Sequence, residues 1–194
     1  QMDCKRLVQH IPQLDKILKN ERKHEKELVK LINEERQKYI GSIVLGISDA
    51  LVELTGALAG LTFALQNTKL IALAGLVTGV AASLSMASSE YQSTKAERSK
   101  KKPLTAAFYT GLVYFVTVLA LVFPFLILRN PLLSLSFTLG CALLIIGIFS
   151  YYVAVTQRIS FQKRFFEMAI ISLSVAALSF VLGYVLRLFF GLDV

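Results

Sequence analysis

Asp49 and Glu53 stand four residues apart in Ile43 to Leu65, a stretch that otherwise holds only apolar and small or uncharged polar residues. On a helix this spacing stacks both carboxylates on one stripe, and Gly46, Gly56 and Gly60 fall on the same stripe. A second apolar stretch, Leu70 to about Ser88, repeats the device with Gly75, Gly79, Ser83, Met86 and Glu90 on one face. Carboxylates suit divalent cations, and a thioether turns the preference toward transition metals over Mg²⁺ and Ca²⁺. Ser48, Ser83 and Ser89 add nearby hydroxyls. Carboxylates held in an apolar phase also take up and release protons, which would couple metal passage to proton counterflow.

Each of these residues has a plainer role to be weighed. Buried Asp and Glu also hydrogen-bond across helices, and glycine stripes are ordinary packing devices. A charge facing lipid costs about 2.5–3.5 kcal/mol or more, so two of them on one glycine-lined stripe favour function. Met86 is filler by itself and gains weight only from sharing a face with Glu90. Tyr109, Tyr114, Tyr151 and Tyr152 are read as hydrogen-bonding or interfacial residues, not ion ligands. Glu167, near the start of the last apolar stretch, is balanced between the two readings. Glu21, His24 and Glu25 sit in a charged head; Glu21 and His24 have the Glu-x-x-His spacing of di-iron bundles. One helix supplies only part of such a site, so these three are weaker metal candidates and a solvated face is the leading reading.

The elements that must hold these side chains follow from composition. Of 194 residues, 55% are hydrophobic and 18% charged, and the charges crowd before residue 41. Too much apolar surface remains for one soluble domain, so lipid must solvate most of the chain. The reading is an all-α integral membrane protein with two parts. Residues 1–40 form a cytoplasmic segment with an amphipathic helix over 13–40, where Leu14, Ile17, Leu18, Leu28, Leu31 and Ile32 recur at helical spacing. Residues 41–194 carry five transmembrane helices, at about 43–65, 70–88, 104–128, 132–155 and 165–190. Pro124 is expected to kink the third near its end.

Basic residues concentrate in the head, in the link between spans two and three and in that between spans four and five. The alternate loops hold one each, Lys69 and Arg129. This asymmetry places the N-terminus in the cytoplasm and the C-terminus outside. The formal charge of +8 therefore reflects membrane orientation and not nucleic-acid binding. Cys4 and Cys141 lie far apart and suggest neither a disulfide framework nor a metal cluster. The charged start lacks the pattern of a signal peptide, so no cleaved segment is expected. No phosphate-binding loop or Ser/His/Asp set is visible, and an enzyme is not expected.

The runs ISDALVELTGALAGLTFAL and GLVTGVAASLSMASSEYQSTKAE resemble the vacuolar iron transporter family. LVFPFL and FEMAIISLSVAALSFVLGY fit the same resemblance, which extends from about Gly41 to the end. The head with ERKHE resembles the last helix of the ferritin-like, rubrerythrin-type domain fused ahead of this body in some prokaryotic members. The resemblance implies a homodimer in a prokaryotic cell membrane that exports Fe²⁺, and often Mn²⁺, in exchange for protons, with no permanently bound cofactor. It matches Asp49 and Met86 to the family's intramembrane Asp and Met, and places Glu53 and Glu90 in acidic positions. A departure is the short basic link between spans two and three, where eukaryotic members carry a Glu-rich metal-binding insertion. Two other functions stay open at this level: a non-transporting membrane anchor for an iron-storage or iron-oxidising domain, and a channel.

Overall fold

A computed structural model of the chain describes residues 12–97, 101–157 and 159–190, with side chains described at 21, 39–97, 101–156 and 159–189. Among the described residues every regular element is a helix: α1 (Pro12–Leu65), α2 (Thr68–Ala96), α3 (Pro103–Ile127), α4 (Pro131–Gln157) and α5 (Phe161–Phe190). Each contains a stretch long and apolar enough to cross a bilayer, from 25 to 29 residues; in α1 it is Tyr39–Leu65. About 20 residues suffice for the crossing, so each helix has length left for tilt or for a turn beyond the hydrocarbon.

The chain divides into two compact units, 1–41 and 42–194. In the first, α1 begins at Pro12 and Glu21 is exposed, while the side chains of His24 and Glu25 lie outside the described residues. The rest concerns the second unit.

Local chemistry sets the helix ends. α1 stops at Leu65 because Gln66 turns to φ 49°, and the Asn67 side chain then accepts the Lys69 and Leu70 N–H groups to start α2. Pro103 and Pro131 open α3 and α4, where a missing N–H costs nothing. The Asn130 side chain accepts from Leu132 and Leu133 at the head of α4. Pro124 sits inside α3, which continues to Ile127.

α2 runs eight residues beyond the expected span end at Ser88, and α5 starts four residues before Phe165. Hydropathy marks where a helix leaves the hydrocarbon, not where it ends. With no Gly or Pro after Gly79, nothing breaks α2 until Glu97.

α2 packs along α3, α3 against α4, and α4 against α5. α1 reaches α3 and α5 through its own glycines and α2 through a glycine of that helix. A Cβ on Gly46 would lie 2.6 Å from the Thr110 carbonyl oxygen of α3, and one on Gly60 would lie 2.9 Å from the Ser179 carbonyl of α5. Gly56 meets the Val175 side chain of α5, and Gly75 of α2 receives Leu58 of α1. The core holds Leu51, Leu54, Leu58, Val118, Leu121 and Phe125. Outward faces are equally apolar, with Leu73, Val77, Phe108, Phe137, Leu144 and Leu178 exposed, as lipid requires.

Where burial pressure from water is absent, hydrogen bonds between helices add to packing. The Thr55 hydroxyl bonds the Leu51 carbonyl and lies 3.0 Å from Ser172 Oγ of α5, which itself donates to Leu51 at 3.1 Å. Thr55→Val keeps the volume and removes the Thr55–Ser172 contact, leaving the Ser172 bond to Leu51. The expected result is a loss of about 0.6–1.7 kcal/mol, read as an earlier thermal unfolding midpoint of the purified protein in detergent.

Candidate functional site

α1 turns Ala50, Leu51, Leu54, Thr55 and Leu58 into the core. The acidic pair lies to the side of that face: Asp49 is half-buried and Glu53 is exposed, as is Leu45 one turn earlier. The glycine stripe is thus divided. Gly46 is covered by α3, Gly56 and Gly60 are covered by α5, and the carboxylates occupy the interval between.

Glu53 is nonetheless fixed. Its Oε2 accepts a 2.7 Å hydrogen bond from the Tyr114 hydroxyl, and Tyr114 is completely buried in α3. Asp49 lies near enough for its charge and that of Glu53 to act on one another. The mid-membrane site is therefore a pair of carboxyl groups one turn apart, with the Tyr114 hydroxyl holding one of them. Two ionised carboxylates this close repel, and a cation or a proton between them relieves the repulsion. Beside it, the Ser48 hydroxyl is buried without a hydrogen-bond partner.

Glu90 forms a second level. It is 8% exposed, and its Oε1 accepts from Ser42 Oγ of α1 at 2.5 Å and from Thr94 Oγ1 at 3.4 Å. Ser42 is seven residues before Asp49 and eleven before Glu53, which places the two levels about 10–16 Å apart along α1. Met86, one turn before Glu90, is half-buried against the core, on the side of Glu90 nearer the membrane middle. Ser83 is buried with its hydroxyl donating to Val80 of its own helix, and Ser89 is exposed.

The structure thus joins Asp49 to Glu53 and leaves Glu90 apart with its own partners. Among the described residues, no three His, Cys, Asp or Glu side chains of one chain converge on a point able to hold a metal ion. Glu167 lies 3.8 Å from Arg164 and is largely exposed. At the end of the unit away from Ser42, a cavity of about 420 Å³ is lined by Phe63, Gln66, Arg129 and Asn130 among others. A guanidinium on its wall suits no cation.

Three partners were not singled out from the sequence as part of a site: Ser42, Thr94 and Tyr114. Thr94 is one turn from Glu90, a spacing that gave a signal. Ser42 and Tyr114 are 48 and 61 residues from the carboxylates they meet, and only the fold brings them there. Tyr114→Phe tests the second contact. With an isosteric ring and no hydroxyl, the variant is expected to fold and to lose roughly tenfold in metal flux, the scale of one hydrogen bond to a charged group.

Residues 40–102 match the model of the VIT family. Over this segment the chain is similar to the VIT family. The match covers the membrane stretch of α1, all of α2 and the link to α3, the segment that carries Asp49, Glu53, Met86 and Glu90. No curated protein matches the chain. The similarity points to an integral membrane protein and to metal-ion transport, and among the described residues five helices are long and apolar enough to cross a membrane. The matched segment carries these four side chains, while Tyr114, which the fold brings to Glu53, and Thr110, which it brings to Ser42, lie outside it.

Proposed function

We propose that this chain is a proton-coupled exporter of Fe²⁺ or Mn²⁺, acting as a homodimer with its N-terminus in the cytoplasm and its C-terminus outside. One observation carries the reading: the carboxylate pair Asp49 and Glu53 at mid-span of an apolar helix, one half-buried and the other exposed and held by Tyr114. An acidic pair open to lipid costs about 5 kcal/mol or more for two charges, so a stable assembly covers it or loads it. A second copy facing this side of α1 supplies the cover and doubles the carboxylates around the path.

On this reading the route begins at Glu90, passes the thioether of Met86 and reaches Asp49 and Glu53. The metal is cargo throughout. Asp49 and Glu53 exchange it for protons, because the charge that repels when both are ionised is neutralised by either ligand. Tyr114 keeps Glu53 turned toward the path by donating to its carboxylate. The basic link between α2 and α3 repels cations, and Glu90 is the buried carboxylate of α2 nearest that link.

Uptake of Mn²⁺ into proteoliposomes, compared with protein-free vesicles, tests the proposal. Saturable uptake above that background is expected. Uptake equal to the background would instead fit a membrane anchor for an iron-handling domain, and uptake indifferent to a pH gradient would fit a channel.

A further inference from the structure

Glu90 is held by a hydrogen-bonded latch that ties three helices together. Ser42 is 1% exposed, and both its polar atoms are engaged across helix boundaries: its hydroxyl donates to Glu90 Oε1 of α2 at 2.5 Å, and its carbonyl accepts from Thr110 Oγ1 of α3 at 3.0 Å. Thr110 is fully buried, and Gly46, one turn after Ser42, lets the α3 backbone come to this distance. Thr94 adds a second, longer hydroxyl bond to the same Glu90 oxygen. A carboxylate that accepts hydroxyl donors at one oxygen and is shielded from water is a poor ligand until those donors leave.

We infer that Ser42 is a positioning residue that competes with the metal for Glu90 Oε1, so that the described arrangement is the entrance in its shut form. The inference rests on the proposed role of Glu90 at the entrance. A divalent cation displaces the Ser42 hydroxyl, and the freed α1–α2 contact opens the way toward Met86. Ser42 therefore sets how tightly a cation must bind Glu90 to pass, and the Thr110 bond to its carbonyl keeps it from turning away with the side chain.

The experiment is Mn²⁺ uptake into proteoliposomes with KM and kcat separated, for wild type, Ser42→Ala, Ser42→Thr, Thr94→Val and Glu90→Gln. Removing the Ser42 hydroxyl strips a donor from the shut form alone, so Ser42→Ala is expected to lower KM roughly five- to tenfold. Ser42→Thr restores the hydroxyl and is expected to return KM toward wild type. Thr94→Val, with a weaker bond to lose, should lower KM by about twofold. A merely structural role would reduce kcat or yield at unchanged KM. Wild-type KM in Ser42→Ala, or a KM in Ser42→Thr that stays with the alanine variant, overturns the latch. Should Ser42→Ala fail to fold, an unchanged or raised KM in Thr94→Val overturns it. Glu90→Gln separates the two levels of the argument: if its uptake equals wild type, the entrance role of Glu90 fails, whereas a raised KM there with wild-type Ser42→Ala removes the latch alone.

Discussion

Asp49→Asn is expected to reduce Mn²⁺ flux in proteoliposomes by about two orders of magnitude while leaving expression and fold intact. The substitution keeps the size and one carbonyl oxygen and removes the charge. A charge-assisted contact contributes up to about 3 kcal/mol, and each 1.4 kcal/mol is tenfold, which gives the expected loss. The fold has no reason to suffer. Among the described residues no side-chain hydrogen bond or ion pair ties Asp49 to another helix, and Asn removes the like charge beside Glu53. A protein that used Asp49 as structural glue would show the reverse, with reduced yield and normal flux per folded molecule.

Gly60→Ala is expected to destabilise the membrane unit by about 2–3 kcal/mol, the scale of overpacking against a neighbour that cannot yield. The reason is that the added Cβ would lie 2.9 Å from a backbone carbonyl, that of Ser179, not from a flexible side-chain tip. On the other side of the crossing, Gly183 of α5 meets the Gly60 carbonyl, so both backbones are already at closest approach. Gly140 of α4 provides the comparison. A Cβ there meets nothing within 4 Å. Gly140→Ala should therefore be neutral or gain up to about 1 kcal/mol from helix propensity. Thermal unfolding of the three proteins in one detergent checks both, and equal midpoints for the two variants would remove the close crossing of α1 and α5 from the account.

Much of the architecture was legible before any coordinates. Five apolar runs separated by Asn67, Pro103, Pro131 and a polar loop leave little choice of helix positions, because the bilayer fixes their length and breakers fix their joints. The extra turns of α2 and α5 were not legible, since hydropathy falls at the membrane surface while helical hydrogen bonding does not. The glycine positions 46, 56 and 60 read as one stripe suited to close approach. Which helix covers each glycine depends on the crossing of α1 with α3 and α5, and periodicity along a single helix holds no information on that.

The site divides in the same way. Asp49 and Glu53 announced themselves because charge in an apolar run has a high cost and must be explained. A serine carries no such cost when it can bond its own helix carbonyls, so Ser42 blended into the background, whereas Tyr114 read as a hydrogen-bonding residue without a named partner. Their roles emerge only from neighbours distant in sequence: Glu90 for one and Glu53 for the other. Glu90 itself was legible as an acidic residue on the Met86 face, but its burial was not, because the expected span had ended before it.

The central claim is that metal passes the α1 carboxylates and protons pass the other way. Its most direct test records Mn²⁺ uptake and lumenal pH together in proteoliposomes of wild type and Asp49→Asn. The account predicts metal and proton signals of opposite direction and linked rates in wild type, both collapsing in the variant. Metal uptake and pH change that persist unaltered in Asp49→Asn would contradict it.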